Sequence, residues 1–75
     1  MPSLGMKEFV MLGLRMIDGV SKKQFEEKYK MNLNKVFMRE IEKLKKQDLI
    51  VEEEENIKLT NKGIDLANLV WQEFV

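Results

Sequence analysis

Apolar residues repeat at helical spacing over most of this chain. From Met6 to Ile17 they run almost without a break, so more than one side of this first predicted helix is apolar. A helix that is apolar on all sides must also be buried on all sides. Because a domain of 75 residues is too small to enclose such a helix completely, the pattern predicts that one side of it contacts something outside this chain.

Polar residues at regular intervals divide the rest of the chain into further elements. Ser21 followed by Gln24 has the form of a capping box, which predicts a second helix that runs to about Tyr29. Asn32 can cap a third helix, and the apolar residues after it recur at spacings of three and four. This pattern predicts a continuous helix that ends near Gln47.

The C-terminal third of the chain predicts a hairpin followed by a last helix. Two short apolar runs, 49–51 and 57–59, flank the polar segment 52–56, as in a β-hairpin. Thr60 can cap a fourth helix. The residues predicted to share one face of that helix are Ile64, Ala67, Val70, Trp71 and Phe74.

These elements predict a fold that is mostly α with a small β-hairpin. The order helix, helix, helix, hairpin, helix is winged-helix-like, with the hairpin as the wing. Residues 6–75 are assigned to this domain, and residues 1–5 to a linker or to the trimmed start of a longer chain.

Composition excludes several classes of site. The chain has no cysteine and no histidine, which removes disulfides, thiolate nucleophiles, iron–sulfur ligation and Cys/His zinc sites. It has no apolar run long enough for a membrane span and no signal peptide. We therefore expect a cytoplasmic domain that has no catalytic residue, no metal site and no cofactor site of its own.

The charges cancel overall but are unevenly placed. Thirteen basic and thirteen acidic residues give a net charge of zero. The third helix carries a basic face, Lys35, Arg39, Lys43 and Lys46, which could meet phosphates as in a DNA-binding winged helix. Glu40 and Glu42 interrupt this face, and the acidic run at 52–55 would be repelled by the DNA backbone. A free-standing DNA-binding module is therefore the alternative function, and an adaptor for another protein chain is a third.

Two segments resemble a known family. The first is Glu8-Phe9-Val10-Met11-Leu12-Gly13-Leu14-Arg15 followed by Asp18-Gly19-Val20, and the second is Leu59-Thr60-Asn61-Lys62-Gly63 followed by Leu66, Asn68, Val70 and Phe74. Together they resemble the C-terminal, HemN-type domain of the oxygen-independent coproporphyrinogen III oxidase and heme chaperone family, over residues 8–75. The chain departs from that family at Lys30 and Asp48, where the family often has glycine.

The resemblance implies a role within a larger protein. Members of the family are radical S-adenosylmethionine proteins whose N-terminal barrel holds a 4Fe-4S cluster through a Cys-x-x-x-Cys-x-x-Cys motif. This chain lacks that motif, so the resemblance implies an accessory domain that docks on the missing barrel. The parent would resemble an oxidoreductase of heme and porphyrin biosynthesis, and some relatives carry heme instead.

Four residues are candidates for a contact with the barrel or with substrate: Arg15, Asn68, Met11 and Phe74. Arg15 stands in an otherwise apolar helix, where its guanidinium can pair with a porphyrin carboxylate or with the barrel. It can equally extend to the surface or cap backbone carbonyls within the domain. Met11 and Phe74 can pack in the core or face the barrel, Trp71 is expected in the core, and Asn68 can bond a neighbouring backbone.

Overall fold

The computed structural model describes residues 3–74, which form a mostly helical fold with a small antiparallel sheet, as predicted. The helices in this part of the chain are α1 (Leu4–Leu14), α2 (Lys22–Tyr29), α3 (Leu33–Val36), α4 (Met38–Lys46), α5 (Asn61–Asp65) and α6 (Ala67–Phe74), and the strands are β1 (Val20–Ser21), β2 (Ile50–Glu52) and β3 (Asn56–Leu59). The order of elements follows the predicted helix, helix, helix, hairpin, helix, with two of the predicted helices each divided in two and a short strand, β1, added after the first helix.

The sheet has one strand more than predicted. Its order is β1-β3-β2, and both pairs are antiparallel. The hairpin β2–β3 is confirmed, with Val51 opposite Lys58. Strand β1 adds Val20 opposite Ile57. Because β1 is only two residues long and its partner lies far along the chain, no local alternation of apolar and polar residues could indicate it.

The first helix lies earlier in the chain than predicted. Ser3 caps it, since its Oγ accepts a hydrogen bond from the backbone N–H of Met6 at 3.2 Å. The helix ends at Leu14, and a turn carries the chain through Met16 and Ile17 to β1. The helix therefore includes two residues of the segment 1–5, and the last apolar residues of the predicted helix belong to the turn.

The predicted caps of the later helices are confirmed. Ser21 accepts a hydrogen bond from the backbone of Gln24, Asn32 from that of Lys35, and Thr60 from that of Gly63. Each bond satisfies an N–H group that has no partner within its helix.

The predicted third and fourth helices are both interrupted. Phe37 separates α3 from α4 with φ −112° and ψ 32°, and Leu66 separates α5 from α6 with φ −113° and ψ 35°. The prediction of a continuous third helix is therefore wrong at Phe37. The interruption accompanies a fully buried ring that packs edge-on against Phe25 and Phe74, with centroids 6.1 and 5.3 Å away.

The core gathers side chains from nearly every element. It is formed by Val10, Leu14, Val20, Phe25, Leu33, Phe37, Ile41, Leu44, Leu49, Ile50, Ile57, Val70 and Phe74. Helix α1 supplies only two of these residues, Val10 and Leu14, although it is predominantly apolar. Three more of its apolar side chains, Met6, Phe9 and Met11, are half-buried against the core, and Leu4 and Leu12 are exposed.

Candidate functional site

Exposed apolar side chains gather where α1 ends and α5 begins. Leu12, Met16, Ile17 and Ile64, which we call the apolar surface, have exposed fractions of 60, 67, 95 and 62%. Isolated exposed apolar residues are ordinary, but a group of large ones is typical of an interaction site. The predicted surplus of apolar surface in the segment 6–17 is found at Leu12, Met16 and Ile17, of which the last two lie in the turn after α1.

A groove of about 380 Å³ joins the two helical ends. It is lined by Leu14, Arg15, Met16, Ile17, Leu59, Ile64, Ala67 and Trp71. Met16 also lines a neighbouring depression of about 360 Å³ between α1 and the start of α2, together with Phe9 and Leu12. The apolar surface is thus continuous across both hollows. Ile64 was predicted to share one face of the last helix with four other residues, and it lines this groove with two of them, Ala67 and Trp71, while the other two are buried.

Arg15 lies within the groove. Its guanidinium carbon is 5.1 Å from the centroid of the Trp71 ring, which is a cation–π distance. Trp71 was expected in the core, but it is only half-buried and presents its ring to the groove. The side chain of Arg15 is exposed. Among residues 3–74, no carboxylate lies within ion-pair distance of it.

The other three candidate residues lie apart from this groove. Met11 is half-buried against the core and lines a shallow hollow with Glu8, Leu12 and Arg15. Asn68 is exposed on α6, outside the residues that line the groove. Phe74 is 1% exposed and packs against Phe37, so its side chain belongs to the core and offers no surface to a partner. Of the four candidates, only Arg15 meets the groove itself.

Two lysines on α4 form ion pairs within the domain. Lys43 Nζ lies 2.9 Å from a carboxylate oxygen of Glu73, and Lys45 Nζ lies 3.0 Å from one of Glu52. At the hairpin turn, Lys58 is 3.5 Å from Glu53. A lysine that already has a carboxylate partner must lose it before it can bind a phosphate. Of the predicted basic face, only Lys43 is paired in this way among the described residues, so the pairs count against a nucleic-acid interface at that one position.

The carboxylate of Glu52 joins β2 to three helices. It accepts hydrogen bonds from Lys22 at 2.6 Å, from Asn34 at 2.6 Å and from Lys45 at 3.0 Å. The bonds from Lys22 and then Lys45, with a smaller contribution from Asn34, lower the pKa of Glu52 from 4.5 to about 2. A carboxylate so strongly held in its charged form cannot act as a general acid or base near neutral pH. Its role is structural.

An iron–sulfur cluster does not fit the donor set of this chain. Such clusters are held by cysteine thiolates, and the sequence contains no cysteine. Any ligands of a cluster must therefore come from outside residues 1–75. The described helices include none that combines the length and the apolar character needed to cross a bilayer.

Comparison with known proteins gives a consistent result. The family model for the HemN C-terminal domain matches residues 5–66. The chain is 35% identical over 69 residues to the heme chaperone HemW of Lactococcus lactis subsp. lactis (strain IL1403) and 39% identical over 69 residues to that of Bacillus subtilis (strain 168). Each match covers 92% of this chain and only 18% of the relative's length.

No solved structure matches the chain significantly. The matched family segment nevertheless runs from the first turn of α1, through the sheet, to Leu66, and so includes most of the residues that line the groove. This chain therefore belongs to the HemN C-terminal domain family.

Proposed function

We propose that the chain is the C-terminal accessory domain of a longer radical S-adenosylmethionine protein that acts in heme metabolism, and that it has no catalytic activity of its own. The domain packs on the preceding part of that protein through the apolar surface. The observation that carries the proposal is the exposure of Leu12, Met16, Ile17 and Ile64 at one corner of the domain. Burial of such side chains against a partner removes apolar area from water, which is the main driving force for association.

Within this proposal, heme handling is favoured over oxidation of coproporphyrinogen. Both curated relatives carry the name heme chaperone, whereas the oxidase function rests on the resemblance alone. The parent protein then binds the 4Fe-4S cluster and S-adenosylmethionine with residues outside this chain. It works in the cytoplasm, where a sequence without cysteine loses nothing by the absence of disulfides.

The first test is the reading frame that encodes the chain. We expect it to continue upstream of Met1 and to encode a segment several times longer than the domain, because the matched segment is 18% of each relative. A reading frame that encodes this domain alone would contradict the proposal.

The second test measures side-chain oxidation in the longer protein. Met16 belongs to the apolar surface. Met31, two residues before α3, and Met38, the first residue of α4, lie outside that surface and have comparable exposed fractions of 50 and 57%. Brief treatment with hydroxyl radicals followed by mass spectrometry gives an oxidation rate for each methionine. We expect Met16 to react at least several-fold more slowly than Met31 and Met38. Equal rates for the three would show that the apolar surface is free of any partner.

A further inference from the structure

The position of Arg15 means that a partner that covers the groove must also compensate the charge of the guanidinium. Its side chain lies beside Met16, Ile17, Ile64 and Trp71, so a partner that buries these residues also removes water from the guanidinium. A buried charge without a partner of opposite sign is costly. The face of Trp71 offsets part of that cost through a cation–π contact but cannot accept hydrogen bonds from the guanidinium.

The acidic residues near Arg15 within the domain do not meet this requirement. Glu8 lines the hollow on the other side of Arg15, yet it is not within ion-pair distance, and neither is any other carboxylate among residues 3–74. The guanidinium presents five N–H donors in a planar fork that matches a carboxylate in a bidentate way. The Trp71 ring limits where this fork can lie, so less freedom is lost when a partner binds.

We infer that the preceding part of the longer protein places the carboxylate of an aspartate or glutamate against Arg15 at the centre of the docked interface. This inference rests on the proposed docking of the domain. The occupant is the protein's own upstream segment because more than four fifths of each matched relative lies outside the matched region, and because Arg15 is a cation set in an apolar groove that needs an anionic counterpart. Arg15 is then a positioning residue, which fixes the orientation of the domain on its partner.

The test uses the longer protein and the oxidation rate of Met16. Arg15→Gln removes the charge and keeps much of the side-chain length, and Arg39→Gln is the matched control, since Arg39 is exposed on α4. We expect Arg15→Gln to raise the oxidation rate of Met16 several-fold, toward its rate in the isolated chain, and Arg39→Gln to leave that rate unchanged. If Met16 stays as protected in Arg15→Gln as in the unaltered protein, the inference is wrong.

A second variant identifies the partner carboxylate. Arg15→Lys places a primary amine in the groove, and a water-soluble carbodiimide then joins this amine to a contacting carboxylate as an amide. The Lys43–Glu73 pair, 2.9 Å apart within the domain, reports whether the chemistry has worked. We expect residue 15 to be joined to an aspartate or glutamate upstream of residue 1. A link only to Glu8 or Asp18 would overturn the inference.

The outcomes separate this inference from the proposed function. If Met16 is unprotected in the unaltered longer protein, the docking itself fails. If Met16 is protected and Arg15→Gln does not change its oxidation rate, the proposed docking stands and the inferred carboxylate partner is wrong. All measurements are repeated with added hemin, because its propionates offer the same chemistry. An effect of Arg15→Gln that occurs only with hemin would assign Arg15 to a ligand and overturn the inference.

Discussion

Gly63 is held at its position by the backbone of another element. It lies in the first turn of α5, and a Cβ at residue 63 would overlap the carbonyl oxygen of Leu49 and lie 2.9 Å from the carbonyl carbon. A glycine early in a helix is compatible with a close neighbour, because it has no side chain. The sequence could not identify Leu49, because that contact depends on how the hairpin meets the helix.

Gly63→Ala should therefore destabilise the domain, although alanine is favoured over glycine in helices by about 1 kcal/mol. Since the contact is with backbone, which cannot swing aside, we expect a net loss of about 2 kcal/mol or more in the free energy of unfolding. Gly5→Ala is the control, because its Cβ would meet only side-chain oxygens, that of Tyr29 at 3.4 Å and that of Ser3 at 3.9 Å. Urea denaturation of both variants checks the prediction, and equal stabilities would refute it.

Two other residues adopt the backbone conformation that glycine prefers. Lys30 and Asp48 have φ of 58° and 60°, in the left-handed region. These are the positions at which the family resemblance implies that glycine is common. The family preference thus indicates a backbone conformation that this chain retains with side chains less suited to it.

At the level of elements, the features that depend on neighbouring residues were predictable from the sequence. Those that depend on contacts between distant parts of the chain were not. The caps at Ser21, Asn32 and Thr60 depend on a side chain and a backbone N–H three residues later, so the sequence is sufficient to find them. Strand β1 and the interruption at Phe37 depend on what those residues meet elsewhere in the fold. The apolar spacing continues unchanged through Phe37, and for that reason the pattern predicts one helix.

The contacts by which Glu52 joins β2 to three helices make the stability of the domain depend on pH. Its pKa is lowered in the fold from 4.5 to about 2, so its contribution to stability is fully present above about pH 4.5 and is lost as the pH falls toward 2. Glu52→Gln removes the charge that Lys22 and Lys45 contact. We expect it to cost about 1–2 kcal/mol at pH 7, less than the whole pKa shift implies because Lys45 is partly exposed to water.

The measurement is the free energy of unfolding of both proteins from pH 7 to pH 2. The difference between the unaltered chain and Glu52→Gln should shrink as the pH falls below 4.5. Glu54→Gln serves as the control, because Glu54 is exposed at the hairpin turn, and its effect should stay within about 0.5 kcal/mol. A cost of Glu52→Gln that does not change with pH would contradict the assignment.

For the molecule as a whole, the sequence predicted that an apolar surface is exposed, but it identified only some of the residues that form it. The excess of apolar residues in the first helix indicated an external contact, and Arg15 was singled out because it interrupts that run. The sequence left Phe74 open between the core and the barrel, and it placed Trp71 in the core, which is wrong. Trp71 lines the groove together with Ala67, four residues earlier on α6, whereas Phe74 lies in the core together with Val70.

The stability of the domain should not depend on its apolar surface. Ile17 is 95% exposed and Ile57 is 2% exposed, so the same loss of one methylene group has different consequences at the two positions. We expect Ile57→Val to cost about 1 kcal/mol and Ile17→Val almost nothing in urea denaturation. An equal cost would mean that Ile17 is buried in the domain alone.

The apolar surface around Ile17 also affects the solubility of the isolated domain. With equal numbers of acidic and basic residues, two copies of the domain repel each other little near neutral pH. Their apolar surfaces can therefore associate. Aggregation during purification is the natural result. Because the isoelectric point is about 6.3, an alkaline buffer gives all copies a negative charge and favours a clear solution.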